Sequence, residues 1–415
     1  MAKKKNREQP KREFTKKQLS QWEKQKKRQR IIFITGIAVV TVVVLGLVLG
    51  WYFSMFRPLQ ALALKIGDTE YKVGYYVDTL KYYGVSSITE SDNVVNNIQQ
   101  SQMIIKEAEA MGITINKDEI EKQLSESGLP SNGRFIDPVK TQIALVKLRD
   151  EYFDKQVPEK AEHRNIKAMF LESQVQANDV KSRIEAGESF TLLAGELSAE
   201  PVTKEQNGDL GWRPKGVLNI LMENQLLDDQ AFNAKSGEIT EPIYDAEQQK
   251  DFGYWIMKVL ERDVETATAH VQGILLESEA KAIEVKAKLE AGENFADLAS
   301  EYSQYLGNKD QGGDFGMVSE GMFGGEAEAF IFNEDIEVRT VSDPLKDETF
   351  DTKGGFWLIN IEGIEERDVE GENRDILKTF LLREWVDGLK DMPGYEIENF
   401  MNEAQKKWAL DQALR

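Results

Sequence analysis

The stretches IEAGESFTLLAGELS (184–198) and LEAGENFADLASEYS (289–303) decide how this chain is organised, because they agree at nine of fifteen positions. They lie 105 residues apart, and two further pairs of motifs recur at the same offset: GDLG (208–211) with GDFG (313–316), and ERDVE (261–265) with ERDVE (366–370). Three motif pairs at one constant offset indicate tandem copies of one domain. We place the copies at 160–265 and 266–370, and each is large enough to fold alone.

Each copy has the same order of predicted elements. An apolar strand opens it, IKAMFLE (166–172) or VQGILLE (271–277), and an amphipathic helix follows. That helix ends at the glycine of EAGE, which is typical of a helix C-terminus. A second short helix and a glycine turn come next, and the copy closes on an aromatic-rich strand, YWIMKVLE (254–261) or FWLINIEG (356–363). This order predicts an α+β fold with a small antiparallel sheet and helices in each copy.

The N-terminal residues have the pattern of a membrane anchor. Residues 1–30 contain thirteen Lys and Arg against three Asp and Glu, and residues 31–53 contain no charge. Twenty-three helical residues can cross a hydrocarbon core of about 30 Å. The positive-inside rule predicts a cytoplasmic arm at 1–30, one transmembrane helix at 31–54 and an extracytoplasmic bulk. We therefore expect a single-pass protein of the cell membrane, contacting lipid through residues 31–53.

The composition limits the chemistry that the chain can perform. It has no cysteine and two histidines, which excludes thiol catalysis, disulfides, thiolate metal sites and a histidine-rich metal site. GDFG and GGEAEAF lack the other residues of a kinase or a phosphate-binding loop. We expect no metal and no cofactor. The basic arm is interpreted as a topology signal, so no nucleic acid is expected as a partner.

The motif order of the two copies resembles the parvulin family of peptidyl-prolyl cis-trans isomerases. Copy one contributes AGESFTLLAGELS, NGDLGW, AF (231–232), SGEITEPI (236–243) and FGYWIMKV, and copy two contributes AGENFADLASEYS, GGDFGM, AF (329–330), VSDPL and GGFWLINI. The resemblance covers about half of the chain. Residues 62–80 and 96–124 are similar to the helical segment of membrane-anchored or secreted parvulin foldases.

This resemblance also implies how the segments outside the two copies are organised. A helical chaperone segment at 58–157 precedes the parvulin pair, and two C-terminal amphipathic helices in 371–415 should pack back onto it. The implied partners are unfolded or newly exported polypeptides containing proline, and they could include the translocation machinery. We expect a foldase that assists exported proteins and isomerises prolyl bonds, with copy one as the active domain. The alternative is a non-catalytic holdase in which both copies only bind unfolded segments. A purely structural membrane scaffold is a weaker third interpretation.

The resemblance also implies site residues: a Met/Phe-lined cup for the proline ring, a Cys or Asp near the susceptible carbonyl, and two buried histidines. The sequence departs from this pattern. The first-strand histidine position falls on Ala168 or Gly273, and the last-strand position falls on Trp255 or Trp357. The Cys/Asp position becomes Glu200 in copy one, which we take as the catalytic candidate, although a loop glutamate is also typical of a solvated surface. In copy two that position is Tyr305.

The substrate-binding candidates follow from the same comparison. They are Met222, Leu227, Phe232 and Trp255 in copy one, and Met322, Phe330 and Trp357 in copy two. Gly325 falls where a second cup aromatic belongs, so copy two keeps less of the cup. Tryptophans on a closing strand, and apolar residues at mixed spacing, are equally typical of a protein core.

Overall fold

The computed structural model describes residues 16–130 and 135–415, so the first half of the predicted basic arm lies outside the described residues. The chain divides into two compact units. One comprises residues up to Val146 together with Gly388–Arg415, and the other comprises Lys147–Asp387. The predicted α+β class is confirmed, because helices are combined with small antiparallel sheets and the second unit contains two of them.

The elements are numbered in chain order. The helices are α1 (Lys16–Trp51), α2 (Arg57–Leu59), α3 (Val73–Tyr82), α4 (Ile88–Ala110), α5 (Lys117–Glu126), α6 (Ile136–Lys147), α7 (Gln174–Glu185), α8 (Phe190–Leu197), α9 (Pro201–Glu205), α10 (Val217–Leu221), α11 (Gln225–Asn233), α12 (Glu279–Glu290), α13 (Phe295–Tyr302), α14 (Gly325–Ile331), α15 (Gly371–Gly388) and α16 (Glu403–Ala413). The strands are β1 (Leu62–Ile66), β2 (Thr69–Lys72), β3 (Lys160–Leu171), β4 (Asp209–Pro214), β5 (Ile243–Lys250), β6 (Gly253–Asp263), β7 (Thr268–Leu276), β8 (Asp314–Ser319), β9 (Leu345–Asp347), β10 (Thr352–Asp368) and β11 (Ile397–Asn399).

The first unit begins with a long apolar helix. Residues Lys24–Leu59 are long and apolar enough to cross a membrane, with a mean hydropathy of 3.0 in the most apolar window. The helix passes through one π-helical turn at Tyr52–Phe56, where the ring of Phe56 lies 5.9 Å from Trp51 and 5.7 Å from Tyr52. The apolar side chains from Ile31 to Phe53 that the structure describes are mostly exposed, which is what a lipid-facing helix requires.

The rest of the first unit is a helical module closed by the C-terminus. Strand β11 pairs with β1, which also pairs with β2, and Leu64 lies opposite Asn399. Helix α16 packs on α3 and α4, and Leu410 enters the same core as Tyr76 and Leu80. The C-terminal residues from Gly388 onward therefore fold with the segment that follows the apolar helix.

The two sheets of the second unit have exchanged strands. One has the order β4–β3–β10–β5 and the other has the order β8–β7–β6–β9. Strand β3 opens copy one, yet its central neighbour is β10, the closing strand of copy two, with Ala168 opposite Ile359. Strand β7 opens copy two and pairs with β6, the closing strand of copy one, with Met257 opposite Gly273. Each sheet is thus completed by the last strand of the other copy.

The prediction that each copy closes on its own strand, at 254–261 and 356–363, is therefore wrong. The limits 160–265 and 266–370 separate the copies in sequence, but the folded domains divide the chain differently. Domain A, as we call it, consists of 160–250 and 352–368, and domain B consists of 253–347.

Chain connectivity gives a physical reason for the exchange. Strands β6 and β7 form a hairpin across a short turn, with Asp263 opposite Thr268, so this pairing closes a very small loop. Without the exchange, both central pairings would have to close long loops. Because the entropy cost of closing a loop grows with the logarithm of its length, one tiny and one very long loop cost roughly 2 kcal/mol less than two long ones.

Helix α15 packs within the second unit. Leu377 shares a core with Val157 and Val217, the ring of Trp385 lies 6.2 Å from that of Phe153, and Arg374 donates to Asp154 at 2.8 Å. The sequence predicts that the stretch 371–415 packs on the segment 58–157. Helix α15 contacts the end of that segment, at Phe153, Asp154 and Val157, whereas the residues from Gly388 onward belong to the first unit. Helix α15 covers domain A and the residues leading into it, because those residues present the matching apolar side chains.

Candidate functional site

Two buried tryptophans stand where the family resemblance requires the last-strand histidines. Trp357 is fully buried in domain A, where its ring lies 4.8 Å from Phe170. Its Nε1–H donates to an oxygen of Asp245 at 3.0 Å. Trp255 is equally buried in domain B. Neither indole has surface to offer a substrate, so the substrate-binding roles predicted for Trp255 and Trp357 are corrected: both side chains belong to the core.

Each tryptophan is anchored by a buried aspartate that sequence reasoning missed. Asp245 also accepts from Asn224 Nδ2 at 2.7 Å, and Asp347 accepts from Trp255 Nε1 at 3.2 Å. A signal was present: PIYD (242–245) and PLKD (344–347) lie 102 residues apart, which is also the spacing between the two tryptophans. The indole–carboxylate pair therefore repeats in both domains.

The first-strand positions are too crowded for histidine. A Cβ added at Gly273 would lie 2.7 Å from Met257 Sδ and 2.9 Å from Phe315 Cε2, and Ala168 is fully buried. In domain B, Trp255 Cε3 also lies 3.3 Å from the Cβ added at Gly273, so the buried indole takes up part of the space that a side chain at Gly273 would need.

Glu200, the predicted catalytic carboxylate, begins helix α9. Its Oε1 accepts from the N–H of Val202 at 2.9 Å and its Oε2 accepts from the N–H of Thr203 at 2.7 Å. The residue is 5% exposed, and Pro201 follows it at the start of the helix. Both oxygens satisfy N–H groups that lack a partner inside the helix, so the observed role of Glu200 is that of a helix cap.

We expect Glu200→Ala to lower the free energy of unfolding of domain A by about 1 kcal/mol, because a helix cap contributes about 0.5–2 kcal/mol. Chemical unfolding of the full chain followed by hydrogen exchange in domain A measures this. Glu205→Ala removes the same charge from the exposed end of the same helix and should change stability by less than about 0.5 kcal/mol. Equal effects of the two substitutions would contradict the capping role.

The three cup residues predicted in copy one belong to one apolar cluster but differ in what they border. Leu227 is fully buried in the core of domain A. Met222 lines a cavity of about 540 Å³ whose wall includes Asp245. Phe232 lines a separate cavity of about 320 Å³, beside Phe380 of α15. Of the predicted trio, Met222 alone borders the cavity that adjoins the indole–carboxylate pair.

In domain B, aromatic side chains occupy the region around Trp255. Four rings surround it at centroid distances of 5.3 to 5.9 Å: Tyr305, Phe315, Phe323 and Phe350. Tyr305, at the Cys/Asp position of the family, is part of this cluster, and Phe330 packs against the same core. Met322 lies apart, with 53% of its surface exposed. Domain B therefore presents a packed aromatic cluster in this region.

No group of three or more His, Asp or Glu in residues 16–130 and 135–415 is placed to hold a metal ion. Around Trp357 and Trp255 the structure places apolar contacts and hydrogen bonds. Such groups can bind a polypeptide, or favour a twisted amide if they form an open cup.

Each of the two sequence copies matches a model of a known protein family. Residues 158–261 match the family described as "Rotamase: PPIC-type PPIASE domain", and residues 265–363 match a second family model of the same description. Both copies are PPIC-type parvulin domains. The resemblance drawn from the motifs is thereby confirmed, and the strand exchange occurs within a tandem PPIC-type pair.

The relatives that this chain resembles are named as chaperones and foldases. The chain is 27% identical over 227 residues to the chaperone SurA of Alcanivorax borkumensis, covering 51% of this chain and 48% of that protein. It is 26% identical over 180 residues to the foldase protein PrsA of Caldanaerobacter subterraneus, covering 40% and 56%. It is also 29% identical over 225 residues to PrsA of Oceanobacillus iheyensis, covering 45% and 73%. The chain thus spans about half the length of the first two relatives.

Proposed function

We propose that this protein is a membrane-anchored extracytoplasmic chaperone whose PPIC-type domains hold unfolded client polypeptides without isomerising proline. The observation that carries the proposal is the indole–carboxylate pair. In each domain a fully buried tryptophan bonded to a buried aspartate occupies the site where a parvulin places histidine. The names of the relatives, chaperone and foldase, suggest unfolded polypeptides as clients, and the proposed extracytoplasmic location would make newly exported chains such clients.

The energetics of prolyl isomerisation favour this choice. Rotation about the peptide bond faces a barrier of about 18–20 kcal/mol, and a protein lowers it by gripping the proline ring in a dry, open cup. In domain A the predicted cup residues are split between a core position and two cavities. In domain B the aromatic cluster fills the corresponding region. Holding a client needs neither an open cup nor a shaped transition-state site.

Domain B also offers surface of the kind that binds varied partners. Leu306, Met317 and Met322 are exposed by 83%, 56% and 53%. Methionine is flexible and polarisable, so it adapts to many apolar partners. We infer that such exposed side chains, rather than the buried tryptophans, contact the client.

Prolyl isomerisation by domain A is the second candidate. The observation favouring it is the cavity of about 540 Å³ beside Met222, which adjoins Asp245 and has room for a proline ring. In this alternative the cavity would grip the ring while the buried tryptophan supports its wall.

One experiment separates the two candidates. The full chain in lipid nanodiscs is given an aggregating unfolded client, and in parallel a proline-containing peptide whose cis–trans exchange is followed by NMR. We expect aggregation to be suppressed and exchange to be accelerated by less than about twofold, against the 10⁶-fold or greater acceleration of typical enzymes. Strong acceleration that Met222→Ala abolishes would establish the isomerase instead.

A further inference from the structure

A cavity of about 690 Å³ lies in the first unit, next to the end of its long apolar helix. Phe53 and Arg57 come from that helix, whereas Gln405 and Trp408 come from the C-terminal helix α16. Among the residues that the structure describes, Arg57 is the only charged one in the cavity wall. None of the described carboxylates lines the cavity, although the body of the protein beyond the basic arm is strongly acidic. A wall of this composition is suited to an anion.

The polar groups of the wall are mainly hydrogen-bond donors. The Gln60 carbonyl oxygen accepts from Lys72 Nζ at 3.0 Å, and the Gln405 carbonyl oxygen accepts from the N–H of Asn402 at 3.0 Å. The amide NH₂ group of each glutamine carries two further donors. The indole of Trp408 can only donate, and a guanidinium carries five N–H donors in a rigid fork. Arg57 forms no salt bridge with any carboxylate in residues 16–130 and 135–415.

The position of Arg57 along the chain points to the source of the anion. Residues 31–56 contain no charge, and Arg57 is the first charged residue after them. The rings of Trp51, Tyr52 and Phe56 are exposed just before it, as in the aromatic belt of a membrane interface. If the apolar helix spans the membrane, as the proposed function requires, Arg57 lies at the depth of the lipid headgroups.

We propose that this cavity binds the phosphate of an anionic phospholipid headgroup, with Arg57 as its main ligand. A guanidinium matches two phosphate oxygens at once, which a lysine cannot do. The amide donors of Gln60 and Gln405 supply further hydrogen bonds. The acyl chains of the lipid can lie along the exposed apolar helix, whereas a free phosphate ion would gain nothing from that surface. Since Trp408 shares the wall, a bound lipid would also hold the C-terminal helix near the membrane.

The test compares lipid retention by the full chain. The protein is inserted into nanodiscs of phosphatidylcholine with a minor fraction of phosphatidylglycerol, and lipids that remain bound are counted by native mass spectrometry. We expect Arg57→Gln to weaken phosphatidylglycerol binding about tenfold or more, because hydrogen bonds to charged groups are strong. Lys65→Gln is the matched control: it removes one charge that pairs with Glu398 outside the cavity, and it should have little effect.

Several outcomes would overturn the proposal. If both variants lost phosphatidylglycerol equally, the change in net charge alone would explain the loss. Displacement of the lipid by excess inorganic phosphate would make free phosphate the ligand, and displacement by an unfolded peptide would make the cavity a client site. A chain that inserts and suppresses aggregation but shows no lipid preference contradicts this inference alone. A chain that fails to insert contradicts the proposed anchor as well.

Discussion

Trp357→Ala should unfold domain A and leave domain B folded, although Trp357 belongs to the second sequence copy. The indole is fully buried, lies 4.8 Å from Phe170 and donates to Asp245 at 3.0 Å. Replacing a buried tryptophan by alanine costs about 3–5 kcal/mol, and Asp245 also loses one of its hydrogen-bond donors, although Asn224 still donates to it. A loss of this size is comparable to the whole stability of a small domain.

Hydrogen exchange read by mass spectrometry locates the damage. We expect strand β3 (Lys160–Leu171) to lose protection while β7 (Thr268–Leu276) keeps it. Trp255→Ala is the mirror control, since its side chain lies in domain B with Asp347 as its partner. It should expose β7 and spare β3. The reverse pattern, in which each substitution unfolds its own sequence copy, would contradict the exchanged arrangement.

The second large effect concerns the pH dependence of stability and comes from Lys250. This residue ends β5, next to the point where the chain crosses from domain A to domain B, and its side chain is fully buried. Its Nζ donates to the carbonyl oxygen of Gly354. Burial lowers the pKa of Lys250 from its ordinary value of 10.5 to about 8, and the carboxylates of Glu277 and Glu172 oppose that change.

The sign of the effect follows from proton counting. Unfolded Lys250 keeps its proton up to about pH 10.5, whereas folded Lys250 releases it near pH 8. Between those values the unfolded state binds more protons, so stability rises with pH. The rise attributable to this one group is roughly 3 kcal/mol at most.

Urea unfolding from pH 7 to pH 10 measures this rise. We expect Lys250→Met to remove it, because methionine cannot titrate. Lys235→Met, at an exposed position, should keep the rise of the original protein. If the free energy of unfolding of Lys250→Met rose with pH as it does in the original protein, Lys250 would not be buried where the chain passes from domain A to domain B.

Local patterns in the sequence predict much of this fold. The constant offset of 105 residues identifies the two copies, and apolar or aromatic-rich runs identify their opening and closing strands. The stretch NKDE (116–119) has the spacing of a capping box, and in the structure the N–H of Asn116 donates to the Glu119 carboxylate at 2.9 Å at the start of α5. Each of these signals depends on neighbours along the chain, so the sequence alone is sufficient to read it.

Strand partners cannot be read in the same way. Strands β6 and β10 carry the same pattern of aromatic and branched residues, because they descend from one repeat, and either can fill the central position of either sheet. The choice depends on loop closure and on packing across the molecule. The sequence alone therefore assigns Trp255 to the domain of copy one, whereas in the structure it lies in domain B.

The site was harder to predict than the fold, for a related reason. The family motif assigns Glu200 a catalytic position, whereas the proline after it indicates a helix start, where a carboxylate acts as a cap. The aspartates of PIYD and PLKD recur in both copies, but their contact with a tryptophan depends on the strand exchange. A polar residue that recurs in both copies next to a buried strand indicates a buried hydrogen bond. Alignment with the site residues of the family does not reveal such a contact.

The most direct test of the exchanged sheets is a pair of disulfide crosslinks, which the chain allows because it contains no cysteine. Lys167 lies opposite Asn360 on neighbouring strands β3 and β10. Without the exchange, its partner would be Lys258, which in the structure lies opposite Gln272, the counterpart of Lys167 in copy two. Residues directly opposite in an antiparallel pair have Cβ atoms about 4.5–5.5 Å apart, within reach of a disulfide after small adjustments. Mild oxidation should crosslink the Lys167→Cys/Asn360→Cys variant in high yield and leave the Lys167→Cys/Lys258→Cys variant reduced. A crosslink in the second variant and none in the first would contradict the strand exchange.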